Sequence, residues 1–279
     1  MDDCHTFQLA SADGTTLQAR HWEAKTPHAT LALVHGFGEH SARYQPMAEY
    51  LGMRGIQTVA ADLRGHGRSD GKRGVTRRYD DFRDDLSALL ARARQLHDPV
   101  KGPLVLFGHS MGGGIVLDHG LRPEPGVDGI IASAPLIALA DPVSPVLRSI
   151  IAGVAKVLPR ASMKQTIDGA KISTLPQEQK AYENDALTHG RMGLRTALGL
   201  VENGEALSRH AERWSLPLLI YHSEGDQLTD FDASRNFAKA AQAEFKMFSG
   251  VEHEMHNDSS RPSVYAMIGD FIDRLAGRH

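Results

Sequence analysis

Short apolar runs alternate with segments of helical periodicity along most of this 279-residue chain. That alternation predicts a mostly parallel sheet with helices on both faces. Strands are expected at 31–34, 58–61, 104–107, 129–133, 218–221 and 245–248. Two more, near 6–9 and 17–22, flank the turn signal Ala12-Asp13-Gly14 and suggest an antiparallel edge, bringing the expected sheet to eight strands. Over 79–97, Phe82, Leu86, Leu89, Leu90, Ala93 and Leu96 recur at helical spacing with Asp and Arg elsewhere around the turn, so this helix should pack one face on the sheet. The segment after Ser110 and the closing stretch 263–275 carry the same kind of stripe.

The rhythm fails over 136–214. No convincing strand appears there and helical pattern dominates, which an inserted helical cap explains most simply. The expected layout is a core built from 1–135 and 215–279, with 136–214 as the cap. Within it Val143, Val146, Leu147, Ile150, Ile151, Val154, Val157 and Leu158 form an unusually apolar face. Such a face is expected to pack over the core; the alternative is that part of it meets lipid or a lipid-like substrate.

Composition narrows the function classes. With 41% hydrophobic and 23% charged residues the chain is ordinary for a globular protein, and its formal charge of −3 gives no electrostatic reason to expect nucleic acid. The single cysteine, Cys4, cannot form an internal disulfide and sits at a terminus expected to fray. Met1-Asp2-Asp3 lacks the basic and apolar regions of a secretory signal, so a cytoplasmic location is the default expectation. No apolar run approaches the ~20 residues needed to span a bilayer. Membrane association would have to be peripheral.

The chemistry centres on Gly108-His109-Ser110-Met111-Gly112, which follows the apolar run Leu104-Val105-Leu106-Phe107 and precedes Gly113-Gly114-Ile115-Val116-Leu117. A strand that turns sharply into a helix holds the central serine in a strained conformation with its hydroxyl exposed, and leaves room only for glycine on either side. Serine at its free pKa is a poor nucleophile. It needs a histidine base and a carboxylate that orients the imidazole, which in such folds follow the serine in the order acid, then histidine. Asp226 comes just past the strand 218–221, and His253 just past 245–248. Glu224 lies too near its strand to have the same reach, and Asp230 is placed to open the next helix as an N-cap or first-turn residue. His253 is preferred to His256, although spacing does not exclude His256, which could instead pack beneath the loop. Backbone N–H groups of Met111 and of Phe37, in His35-Gly36-Phe37-Gly38, are the expected oxyanion donors. His35 is expected to order its loop, not to transfer protons.

Asp62-Leu63-Arg64-Gly65-His66-Gly67-Arg68-Ser69 is a second glycine-rich turn without the lysine of a phosphate loop. Its charged residues are expected to hold loops together. The fifteen histidines are scattered, and His253-Glu254-Met255-His256 has the wrong interval for a helical zinc pair. Neither metal nor cofactor is implied.

Taken together, His35-Gly36-Phe37-Gly38-Glu39-His40-Ser41-Ala42-Arg43-Tyr44, Asp62-x-Arg64-Gly65-His66-Gly67-x-Ser69, Gly108-His109-Ser110-Met111-Gly112-Gly113 and the Asp226/His253 pair resemble the monoacylglycerol lipase and lysophospholipase branch of the α/β-hydrolases. The resemblance spans nearly the whole chain and is weakest in the cap. It implies Ser110 as nucleophile, Asp226 as acid, His253 as base, and Phe37 and Met111 as oxyanion donors. It further implies cleavage of a small acyl ester or single-acyl lipid through an acyl-enzyme, with monoacylglycerol the leading substrate and lysophospholipid or simple esters the alternatives. The cap would border a hydrophobic acyl tunnel and touch membranes with its outer face. No obligate protein partner is implied.

Overall fold

A computed structural model describes residues 4–100, 102–165 and 167–278. Eight strands form one sheet: β1 (Cys4–Ala10), β2 (Thr16–Trp22), β3 (Ala29–Val34), β4 (Ile56–Ala61), β5 (Leu104–His109), β6 (Gly129–Ser133), β9 (Leu218–Ser223) and β10 (Glu244–Phe248). Their spatial order is β1-β2-β4-β3-β5-β6-β9-β10. β2 runs antiparallel to both its neighbours, and all other pairings are parallel. Cys4 does not fray as expected. It opens β1 opposite Trp22, because seven successive residue pairs tie the terminus to the sheet.

Period-two alternation divides the strand residues between two cores. Ala32, Val34, Leu104 and Leu106 face one side, where they meet Phe82, Leu86, Ile115, Val116 and Phe237 of α2 (Asp80–Leu96), α3 (Met111–Gly120) and α7 (Phe231–Ala240). Leu31, Leu33, Val105 and Phe107 face the other, against Met47, Leu51, Val264, Ile268 and Ile272 of α1 (Gln45–Met53) and α8 (Arg261–Leu275). Each large apolar side chain buried this way contributes about 1.5–3 kcal/mol relative to exposure. The central parallel strands are buried on both faces, which explains their nearly continuous apolar sequences.

Between β6 and β9 the chain runs through α4 (Pro145–Val157), β7 (Ser162–Lys164), α5 (Pro176–Asn184), β8 (Arg191–Gly193) and α6 (Leu194–His210). The antiparallel pair β7–β8 corrects the expectation that this stretch holds no strand. Three-residue strands are too short to show alternation, and their ladder depends on residues almost thirty positions apart. The apolar stripe is also corrected. Only Ala155 of α4 is buried, while Val146, Ile150 and Val157 are 72%, 58% and 79% exposed. α4 rests on α6, with Arg148 paired to Glu205 and Arg195 Nε donating to Ala155 O at 3.2 Å.

Candidate active site

Ser110 stands between β5 and α3 with φ 53° and ψ −116°, a left-handed conformation costly for a residue with a Cβ. The surroundings over-determine it. Its N–H donates to Ser133 O at 2.9 Å, and its carbonyl accepts from Gly114 N and Leu136 N at 3.0 and 2.8 Å. A Cβ on Gly108 would lie 2.3 Å from Gly112 O, and one on Gly112 would lie 2.3 Å from Val34 O. The glycines are therefore required by backbone crossing backbone.

Met111, the first residue of α3, presents one of the N–H groups that a helix leaves without an intrahelical acceptor. Phe37 lies in the loop after β3, where no acceptor for its N–H occurs among the described residues. That loop is tied on two sides. His35 Nε2 accepts from Leu63 N at 2.9 Å while Nδ1 donates to Gly36 O at 2.7 Å, and Gly36 N donates to Glu39 Oε1 at 2.5 Å. His35 thus orders the loop. The second glycine-rich turn serves the same end: Asp62 accepts from Ser41 N at 2.8 Å and Arg68 N at 2.9 Å, and Arg64 pairs with Asp85 at 2.6 Å.

Asp226 and His253 approach from the loops after β9 and β10. His253 Nδ1 donates to Asp226 Oδ2 at 2.6 Å. Asp226 Oδ1 accepts from Leu228 N and Thr229 N at 2.7 and 3.2 Å, so the carboxylate is held at both oxygens. Burial would raise the Asp226 carboxyl, but the charge of His253 and bonds from His222 and His253 hold it well below the usual carboxylate range. Burial pulls His253 down, yet Asp226 outweighs it and leaves the imidazole above its ordinary value of 6.5. The His253 loop is braced by distant chain: its N–H and that of Glu254 donate to Lys171 O and Ile172 O at 3.3 and 2.8 Å.

The other candidates lie elsewhere. Asp230 caps α7, accepting from Ala233 N at 2.5 Å, and Glu224 is exposed. His256 is buried and stacked on Tyr44, with ring centroids 4.9 Å apart.

Ser110, Phe37, Met111 and His253 line one cleft of about 620 Å³, measured with its open mouth; Asp226 stands behind His253. Leu136, Leu139, Ile167, Ile172, Met192 and Leu228 give it an apolar wall. Glu39, Tyr182 and Glu254 supply polar groups. A buried network with no role assignable from the sequence also lies here: Arg43 bridges Glu39 at 3.2 Å and Glu254 at 2.5 Å and lies over the Tyr182 ring at 4.9 Å. Burial and Glu254 push Glu39 up to about 7, whereas Arg43 outweighs burial at Glu254 and keeps it low. The one available signal was the spacing of Glu39 and Arg43 in the loop after β3. Tyr182 carried none.

A doubly wound parallel sheet with a serine elbow at one strand end, and an acid and a histidine at two later ones, defines an α/β-hydrolase. A family model described as serine aminopeptidase, S33, matches residues 25–260. Monoacylglycerol lipase of Mycolicibacterium smegmatis is 31% identical over 273 residues, covering 96% of each chain. Human monoglyceride lipase is 30% identical over 90% of this chain and 84% of its own. The crystal structure of Paleococcus ferrophilus monoacylglycerol lipase superposes with a TM-score of 0.83 at 25% identity, covering 93% of this chain and 99% of that one. The chain belongs to the S33 family, in its monoacylglycerol lipase branch, and is a serine ester hydrolase.

Proposed function

We propose that Ser110, His253 and Asp226 hydrolyse the ester of a single-acyl lipid, with monoacylglycerol as the preferred substrate. Ser110 Oγ attacks the ester carbonyl as His253 Nε2 takes its proton, and Asp226 stabilises the imidazolium. The N–H groups of Phe37 and Met111 receive the oxyanion. Collapse passes the proton from His253 to the departing alcohol and leaves an acyl-enzyme. Water, deprotonated by His253, then attacks the acyl carbonyl and releases the fatty acid with Ser110 restored.

The observation that carries this reading is a single cleft that holds Ser110 and His253 together with several apolar side chains. That apolar lining suits an acyl chain. Glu39 and Glu254, both bonded to Arg43, add buried polar groups beside it. The names of the similar proteins support the same substrate. Rates on monoacylglycerol, lysophosphatidylcholine and p-nitrophenyl esters, compared on one preparation, test it. Equal or better turnover of lysophosphatidylcholine would displace monoacylglycerol.

In this reading 136–214 is a cap on a core formed by 1–135 and 215–279, and α4 rests on a membrane surface. Among the described residues no helix is long and apolar enough to cross a membrane. The exposed face of α4, continued by Leu158 and Met163, is a large apolar surface for a water-facing helix.

A further inference from the structure

Asp226 carries a second imidazole. His222 lies in β9, wholly buried, and its Nε2 is 2.9 Å from Asp226 Oδ2, the oxygen that His253 Nδ1 reaches from another direction. Thr229 Oγ1 stands 2.9 Å from the same oxygen and 3.1 Å from Ala134 O. His222 also meets Phe231 at 5.7 Å between centroids, and its Nδ1 is buried without a partner among the described residues.

These contacts select one tautomer. With the proton on Nε2, His222 donates to the carboxylate and leaves only a bare lone pair at Nδ1. With the proton on Nδ1, a buried N–H would be orphaned and the Nε2 lone pair would face a carboxylate oxygen at 2.9 Å, with only the Thr229 hydroxyl at 3.3 Å able to donate to it. A doubly protonated ring would also orphan that N–H. A leucine or phenylalanine could fill the same apolar position without an unpartnered nitrogen, so the polar ring is accounted for by its bond to Asp226.

We infer that His222 is a positioning residue for the triad acid: its Nε2–H fixes the Asp226 carboxylate against His253 and draws off part of the charge on Oδ2. This rests on the reading of Ser110, Asp226 and His253 as the triad. Fixing the carboxylate fixes the His253 ring, which shares the cleft with Ser110. Drawing off charge limits how strongly Asp226 holds a proton on His253, so the base stays free at lower pH. The other titratable groups facing the pair are His109 and His256 beside His253, and Glu39, Glu252 and Glu254 acting through charge. None of these bonds Asp226 Oδ2.

The test compares His222→Leu, which removes the donor, with His222→Gln, whose amide N–H can replace it. His222→Leu should lower kcat by about 10- to 100-fold, the worth of one hydrogen bond to a charged group, with KM nearly unchanged. With the donor gone, charge concentrates on Oδ2, the His253 imidazolium is stabilised, and the acid limb of kcat/KM moves to higher pH. His222→Gln should recover most of the rate and return the limb toward wild type. An unshifted limb in His222→Leu, or a glutamine variant no better than leucine, overturns the inference. Nitrogen NMR of the wild-type protein gives a reading that needs no variant: His222 must be neutral with its proton on Nε2, and a proton on Nδ1 sinks the proposal. Ser110→Ala separates the two levels. If it retains activity the triad reading fails; if it is inactive while both His222 variants match wild type, only the role of His222 fails.

Discussion

His253 Nδ1 and Asp226 Oδ2 are 2.6 Å apart, and neither side chain has more than a few per cent of its surface in water. The bond leaves Nε2 of His253 as the ring's basic nitrogen, and Asp226 raises its affinity for a proton. A base works only when unprotonated, so kcat/KM should fall as pH drops through the His253 value. The midpoint of that acid limb is expected above 6.5, the ordinary histidine value. A pH–rate profile on a soluble ester checks this; a midpoint below 6.5 contradicts it.

Asp226→Asn is expected to reduce kcat by about 10³–10⁴-fold while the protein stays folded. The amide offers His253 Nδ1 either an oxygen or a donor, and the wrong choice turns the imidazole to its inactive tautomer. Steady-state kinetics with a circular dichroism control measure it. A loss under tenfold would remove Asp226 from the role of acid.

Much of this architecture is legible in the sequence because the relevant physics is local. Short, nearly continuous apolar runs mark the parallel strands, and glycines at 108 and 112 mark an elbow where backbone crosses backbone. Asp230 also reads as the opening of its helix, where it is the N-cap, since its acceptor role depends on residues three positions away. What escapes is set by long-range contact. β7 and β8 pair across the insertion with three residues each. The stripe on α4 reads as core because periodicity reports which residues share a face, not what that face meets. Arg43 joins Glu39, four residues before it, to Glu254, more than two hundred residues on, which no spacing reveals.

Gly112→Ala should abolish activity and cost about 1–3 kcal/mol of stability, or more. The added Cβ would press against Val34 O and His35 O at 2.3 and 2.5 Å, and backbone atoms there cannot step aside. Urea unfolding and ester turnover measure the two effects. A variant with wild-type turnover would show that the elbow tolerates a side chain.

The buried pair of carboxylates gives a pH signature in stability. Glu39 titrates near 7 in the folded protein, against about 4.3 in an unfolded chain. Between those values the native state binds more protons, so this group's contribution to stability declines as pH rises from about 4.3 to 7. Glu39→Gln should remove that part of the slope in unfolding free energy. An identical slope in wild type and variant contradicts the assignment.

Ile150→Asp with Val157→Asp should weaken binding to lipid vesicles severalfold and leave turnover of a soluble ester unchanged. Both positions are exposed, so folding stability should shift by no more than about 0.5 kcal/mol for each. Vesicle flotation measures binding. If wild-type protein binds no vesicle of any composition, α4 is not a membrane surface.

Covalent capture of the nucleophile tests the central claim most directly. Wild-type protein treated with a fluorophosphonate should gain one adduct by intact mass, mapped by peptide analysis to Ser110, and Ser110→Ala should gain none. Failure of the wild type to react, or equal labelling of Ser110→Ala, would contradict a serine hydrolase built on this elbow.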